Sequence, residues 1–164
     1  MSYEIDSSFA RVEHILPLLH IISAIFIISS QVVLICLTRF FTFYVDKNYG
    51  ELFKQIKRIV VVILTLLLLL VLTGFLLSNG DDFKYSDPMM QSVIHTKYAI
   101  SILIFCNFGY VLYRFSLAKK ACKDANLEEM KEHLIIAINY FVVLDIFILL
   151  ISVYLGVVMA EFRW

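Results

Sequence analysis

Four side chains of this sequence sit where a hydrocarbon environment penalises them: His20, His95, Lys97 and Asp145. Each lies in a long apolar run, and an ionisable residue inside such a run is a functional candidate before it is anything else. Their spacing adds information. The stretch from His20 to Phe40 can be laid over the stretch from His95 to Phe115, and seven of 21 positions coincide: His20/His95, Ala24/Ala99, Ile25/Ile100, Ile27/Ile102, Leu37/Leu112, Arg39/Arg114 and Phe40/Phe115. Apolar identities arise easily by chance, whereas the His…Arg frame uses rare residue types. In each copy 19 positions separate histidine from arginine, about 28 Å of helix. Two neutral imidazoles at one depth on facing helices can hold a planar haem iron from both sides. An ammonium nearby can pair with the propionate of a haem or porphyrin. A buried carboxyl can pass protons.

The elements that position these groups are four apolar segments: Ile15–Thr38, Ile59–Leu77, Val93–Tyr113 and Leu134–Met159. Hydrophobic residues make up 61% of the 164, and the mean hydropathy is +0.86. About 20 apolar residues span a bilayer as a helix, so every segment is long enough. Uninterrupted helices also satisfy their own backbone groups in lipid. The sequence therefore predicts an all-α, integral membrane four-helix bundle forming one domain over residues 1–164. Pro17 is expected either to start the first membrane helix or to kink one beginning near Ser7. The first segment has no basic start and no small-residue cleavage site, so it does not read as a cleavable signal.

Lys and Arg set the expected orientation. Arg39, Lys47, Lys54, Lys57 and Arg58 fill one loop, and Arg114, Lys119, Lys120, Lys123 and Lys131 fill another. Outside the spans the other side has only Arg11, Lys84 and Arg163. The positive-inside rule puts both termini outside and these two loops in the cytoplasm. A bacterial chain of this kind would occupy the inner (plasma) membrane. The zero net charge hides this polarity, and nucleic acid is not an expected partner. Cys36, Cys106 and Cys122 are not placed for an outside disulfide.

Helical steps of three and four define the faces. The row through His20 contains Ser23, Ala24, Ile27, Gln31, Leu34 and Thr38; that through His95 contains Tyr98, Ala99, Ile102, Cys106, Gly109 and Tyr113. Small and polar residues mark helix–helix contact in membranes, so both histidines are expected to face inward. If the half-repeat is real, a parallel two-plus-two arrangement would let them meet. Lys97 is rotated about 200° from His95, which leaves it snorkelling to the interface or anchoring an anion. Asp145 falls about 11 residues into the fourth segment, where a carboxylate costs about 2.5–3.5 kcal/mol. Ser152 and Gly156 share its face, and Gln31 and Asn107 lie near its depth. It serves either as a proton relay beside a redox site or as a neutral hydrogen-bonded clasp. Two other readings stay open. Met89 and Met90 before His95 suit Cu(I), giving a copper uptake or binding protein. A cofactor-free subunit of a larger membrane complex is the other, and self-association is open in every case. His14 and His133 are expected to see water, and the Glu128/Lys131 and Glu129/His133 spacings suit surface helix pairs.

The strings "LLHIISAIF…LTRFF", "LTGFLL" and "HTKYAI…YRF" resemble the membrane-embedded protoporphyrinogen oxidase family of bacteria, and the wider group of small four-helix haem or copper membrane proteins. The likeness rests on the first-segment histidine and the His-x-Lys opening of the third segment, matched here by His20, His95 and Lys97. The chain has Val93–Ile94 where that family usually has a tryptophan, Thr38–Arg39 for a proline–arginine pair, and Asn139-Tyr140-Phe141-Val142 for an Asn-Glu-x-Pro opening. The resemblance implies a non-covalent haem b and oxidation of protoporphyrinogen IX, with electrons passing to quinone or the respiratory chain. Under it His20 is an axial ligand and Lys97 serves haem or substrate carboxylates.

Overall fold

A computed structural model describes residues 12–43, 49–79 and 88–161. It is all-α, with no strand among the described residues. Helix α1 is Val12–Phe43, α2 is Tyr49–Ser78 and α3 is Pro88–Lys123. The fourth span is composite: α4 (Leu127–Ile136), a π-helical turn (Ala137–Val142) and α5 (Val143–Glu161). Among the described residues four helical stretches are long and apolar enough to cross a membrane, over Ile15–Thr42, Tyr49–Ser78, Gln91–Lys123 and Leu127–Val158. A multi-pass membrane protein follows.

The helices outrun the apolar segments that announced them. The basic stretch 114–133 is no loop. Lys119, Lys120, Cys122 and Lys123 continue α3, and only residues 124–126 turn the chain into α4. Asn126 caps α4 by accepting from the Glu129 amide at 3.3 Å, while its own amide donates to Glu129 Oε2 at 2.9 Å. That reciprocal pairing meets backbone and side-chain needs at a helix start. Glu129 Oε1 also lies 3.6 Å from His133 Nε2, the expected pair, but His133 is mostly buried where the sequence reading put it in water. Ala125 holds the turn at φ 58°, a conformation that a Cβ disfavours. Ala125→Gly is therefore expected to stabilise the protein by about 0.5–1 kcal/mol, seen as a higher thermal midpoint in detergent.

Pro17 lies inside α1, so it does not start the helix. Hydroxyls along the spans are met by their own helices: Ser23 donates to Leu19 O, Thr38 to Leu34 O and Ser101 to Lys97 O, at 2.7, 2.8 and 2.9 Å. Such back-bonding lets Ser and Thr enter lipid without an orphaned proton. The packed centre joins Ile27 and Leu34 of α1, Ile63 and Leu67 of α2, Phe108 and Val111 of α3, and Leu134, Ile138 and Leu149 of the fourth span. Large apolar side chains such as Phe26, Leu68, Ile102 and Phe147 remain outside. A bilayer accepts such a surface, which water would not.

Polar ties fix the register. His20 meets Thr73, Ser78 meets Tyr98, and Arg39 Nη2 donates to Asn139 Oδ1 at 2.8 Å. Successive spans therefore run antiparallel, and His20, Thr73, Tyr98 and Lys97 gather at one end. α1 packs along α2 and against the fourth span, which also packs on α3. α1 and α3 are diagonal and make little contact, and among the neighbouring pairs α2 and α3 touch least.

Candidate functional site

The α1 face is the one read from sequence: Ser23, Ala24, Ile27, Gln31, Leu34 and Thr38 are all buried. His20, half-buried, heads that row. The α3 face is the reverse of expectation. His95, Tyr98, Ala99, Ile102, Cys106, Gly109 and Tyr113 are all exposed. The buried row of α3 starts instead at half-buried Lys97 and runs through Ile104, Phe108, Val111 and Phe115. The two histidines share an end of the bundle but not a face, so His95 does not meet His20 within the chain. Bulk decides this: the large side chains of α3 fill the centre, and its small residues go outward.

The group that does approach His20 is Lys97. Its ammonium lies against the α5 backbone, 3.4 Å from where a Cβ on Gly156 would stand, and its charge acts on the His20 imidazole. A Cβ on Gly74 would stand 3.2 Å from His20 Cε1. Two glycines, one on α2 and one on α5, thus leave space for the ring and for the ammonium. Among the described residues the Lys97 ammonium makes no hydrogen bond and no ion pair.

Thr73 fixes the chemistry of the ring. The Thr73 hydroxyl has a single proton, aimed at the carbonyl oxygens of Leu69 and Leu70, 2.8 and 3.0 Å away. His20 Nδ1 lies 2.8 Å from the same oxygen; with the Thr73 proton on a backbone carbonyl, the imidazole N–H donates and Thr73 Oγ1 accepts. The lone pair is then on Nε2. A histidine held through Nδ1–H with Nε2 left basic is the usual arrangement of a metal-binding imidazole. The donor set therefore suits one axial bond to a haem iron plus one ammonium for a carboxylate. It does not suit a bis-histidine clamp inside one chain.

Asp145 lies elsewhere. Asn107 Nδ2 donates to Asp145 Oδ1 at 2.7 Å and to the Phe141 carbonyl of the π turn at 2.8 Å. Asn107 is ten positions along α3 from Lys97, about 15 Å. Asp145 is thus three turns from the His20–Lys97 pair and cannot touch a group held at its centre. The expected depth match with Asn107 is realised; the role of Asp145 beside a redox centre is not supported by proximity. Met89 and Met90 belong to α3, but their side chains and that of His14 lie outside the described residues. Among the described residues no group of three His, Cys, Asp or Glu side chains is placed around a metal ion.

Thr73, Gly74 and Gly156 are the positions that the sequence reading missed. Thr73–Gly74 was visible within "LTGFLL", but its pairing with His20 follows only from the packing of α2 on α1. No family model, no curated protein and no solved structure matches this chain.

Proposed function

We propose that this protein is a membrane redox protein that holds a haem b or related porphyrin at His20 and Lys97. One observation carries the reading: a half-buried imidazole whose Nδ1 lies 2.8 Å from Thr73 Oγ1, with Nε2 unpaired and an ammonium that meets no counter-charge among the described residues. His20 offers its Nε2 lone pair, Thr73 keeps that tautomer, and Lys97 pairs with a propionate. The loosely joined α2–α3 side is the path for a flat ligand to enter from the membrane. When bound, haem supplies a one-electron couple. Quinone or a respiratory-chain protein is the electron partner the reading calls for, and protoporphyrinogen oxidation is the activity that the resemblance adds. The Lys and Arg distribution supports an orientation with both termini outside and this site toward the outer leaflet.

The visible spectrum of detergent-purified protein tests the reading. A Soret band with a pyridine haemochrome of the b type is expected, and a colourless protein overturns it. Space at Gly74 gives a second check. Gly74→Val would push the His20 ring off Thr73 and is expected to weaken pigment binding about 10-fold or more. Gly109→Val, where nothing lies within 4 Å, should leave it unchanged.

A further inference from the structure

Gln31 and Asp145 are fully buried, yet Gln31 Nε2, Gln31 Oε1 and Asp145 Oδ2 have no hydrogen-bond partner. An unmet buried polar atom costs about 1–3 kcal/mol, so three together call for an explanation. They occupy one layer. The Arg39–Asn139 bond sets α1 against the fourth span. Counting from it toward the His20 end, Gln31 is eight positions away, about 12 Å, and Asp145 six, about 9 Å. α1 packs directly on α5 and on the π turn, with both side chains facing in.

The unmet set is two acceptors and one amide NH2. The occupant must donate to a carboxylate oxygen and to an amide oxygen, and accept from an amide. Water does all three. A cavity of about 20 Å³, lined by Thr38, Arg39, Leu134 and Ile138 among others, opens two turns from Gln31 on the same α1 face. That is room for about one water at the basic end of the same face.

We propose that Gln31, Asn107 and Asp145 form a hydrated proton-binding site inside the bundle, in which water bridges Gln31 to Asp145 and exchanges a proton with the carboxyl. In the uptake step an O–H bond of hydronium breaks and one forms at Asp145 Oδ2, leaving neutral water. Among the described residues no other Asp, Glu, His, Lys or Arg shares the layer, and the Cys106 thiol beside Asn107 faces outward. From α1 the inward or flanking groups are His20 and Arg39, from α3 Lys97 and Arg114, and from the fourth span itself His133, each toward one end of the bundle. The site is independent of the haem reading, because neither His20 nor Lys97 belongs to it.

Dicyclohexylcarbodiimide tests the protonated carboxyl in the unaltered full-length chain. The acid O–H adds across one C=N bond, the proton goes to that nitrogen, and the acyl group migrates to give a stable N-acylurea. Mass spectrometry of the peptide containing Asp145 should find the adduct, formed severalfold more slowly at alkaline than at neutral pH and lost in D145N. No adduct on Asp145, or a rate indifferent to pH, overturns the proposal. Hydration is tested separately by infrared spectroscopy: the carboxylic acid C=O band assigned to Asp145 by its loss in D145N should shift promptly when the protein is moved from H2O to D2O, as an acid that meets exchanging water does. A band that stays unshifted for hours marks the layer as a dry clasp and the proposal fails. A pigmented protein without the adduct would sink this site alone, and an adduct in a colourless protein would sink the haem reading alone.

Discussion

Replacing His20 with alanine is expected to abolish the Soret band of the purified protein, while His95→Ala leaves it intact. The contrast follows from faces, not from depth. Both histidines lie at the same end, but His20 turns toward Thr73 and the packed side of α1, and His95 lies on the outward row of α3. A single Nε2–iron bond would be lost outright with His20. Thr73→Val keeps the ligand and removes its orienting acceptor, so pigment affinity should fall about 10–100-fold. Equal loss with His20→Ala and His95→Ala would mean that two copies of the chain share one haem, or that α3 is rotated. Either result would overturn the single-histidine site. Retention of the band without His20 would remove that site altogether.

Asn107→Leu is the second large expected effect. Asn107 satisfies both the Asp145 carboxyl and the Phe141 carbonyl, so its loss leaves Asp145 with no protein partner at either oxygen. The expected cost is about 1–3 kcal/mol, since interhelical hydrogen bonds in lipid are individually modest but an orphaned carboxyl is not. Adding Asp145→Leu should recover most of that loss, because an apolar replacement of a buried polar pair is often neutral or stabilising. Thermal midpoints of the four proteins in one detergent measure the coupling. Additive losses would show that the Asn107–Asp145 contact does not hold the helices together.

The difference between α1 and α3 shows what could be read in advance. On α1 the buried row carries Ser23, Gln31 and Thr38, and polarity pointed inward correctly. On α3 the same rule chose the row of Ala99, Cys106 and Gly109, and the packed side is instead the bulky one with Ile104, Phe108 and Phe115. In water these rows would differ by the penalty of exposing phenylalanine. In lipid that penalty vanishes, and the face is set by which side chains fill the space left by three other helices. That space is a property of the assembled bundle, and no single segment encodes it. The four spans and the depth of Asp145 needed only composition and length, so they were legible. The meeting of His20 with Lys97 needed a rotation, so it was not, although the 200° between His95 and Lys97 already required that only one of them face in.

The π-helical turn at Ala137–Val142 sets the rotational phase of the fourth span. Below it, Met130 and Leu134 face the centre; above it, Asp145, Ile148 and Leu149 do. A π turn amounts to one residue more than an α-helix needs at that point. Wound as regular α-helix with the same residues, everything beyond it would swing by about 100°. Asp145 would then turn away from Asn107. Removing one residue from the turn lets the span wind regularly without that swing, so a one-residue deletion within 137–142 should be tolerated better than a one-residue insertion.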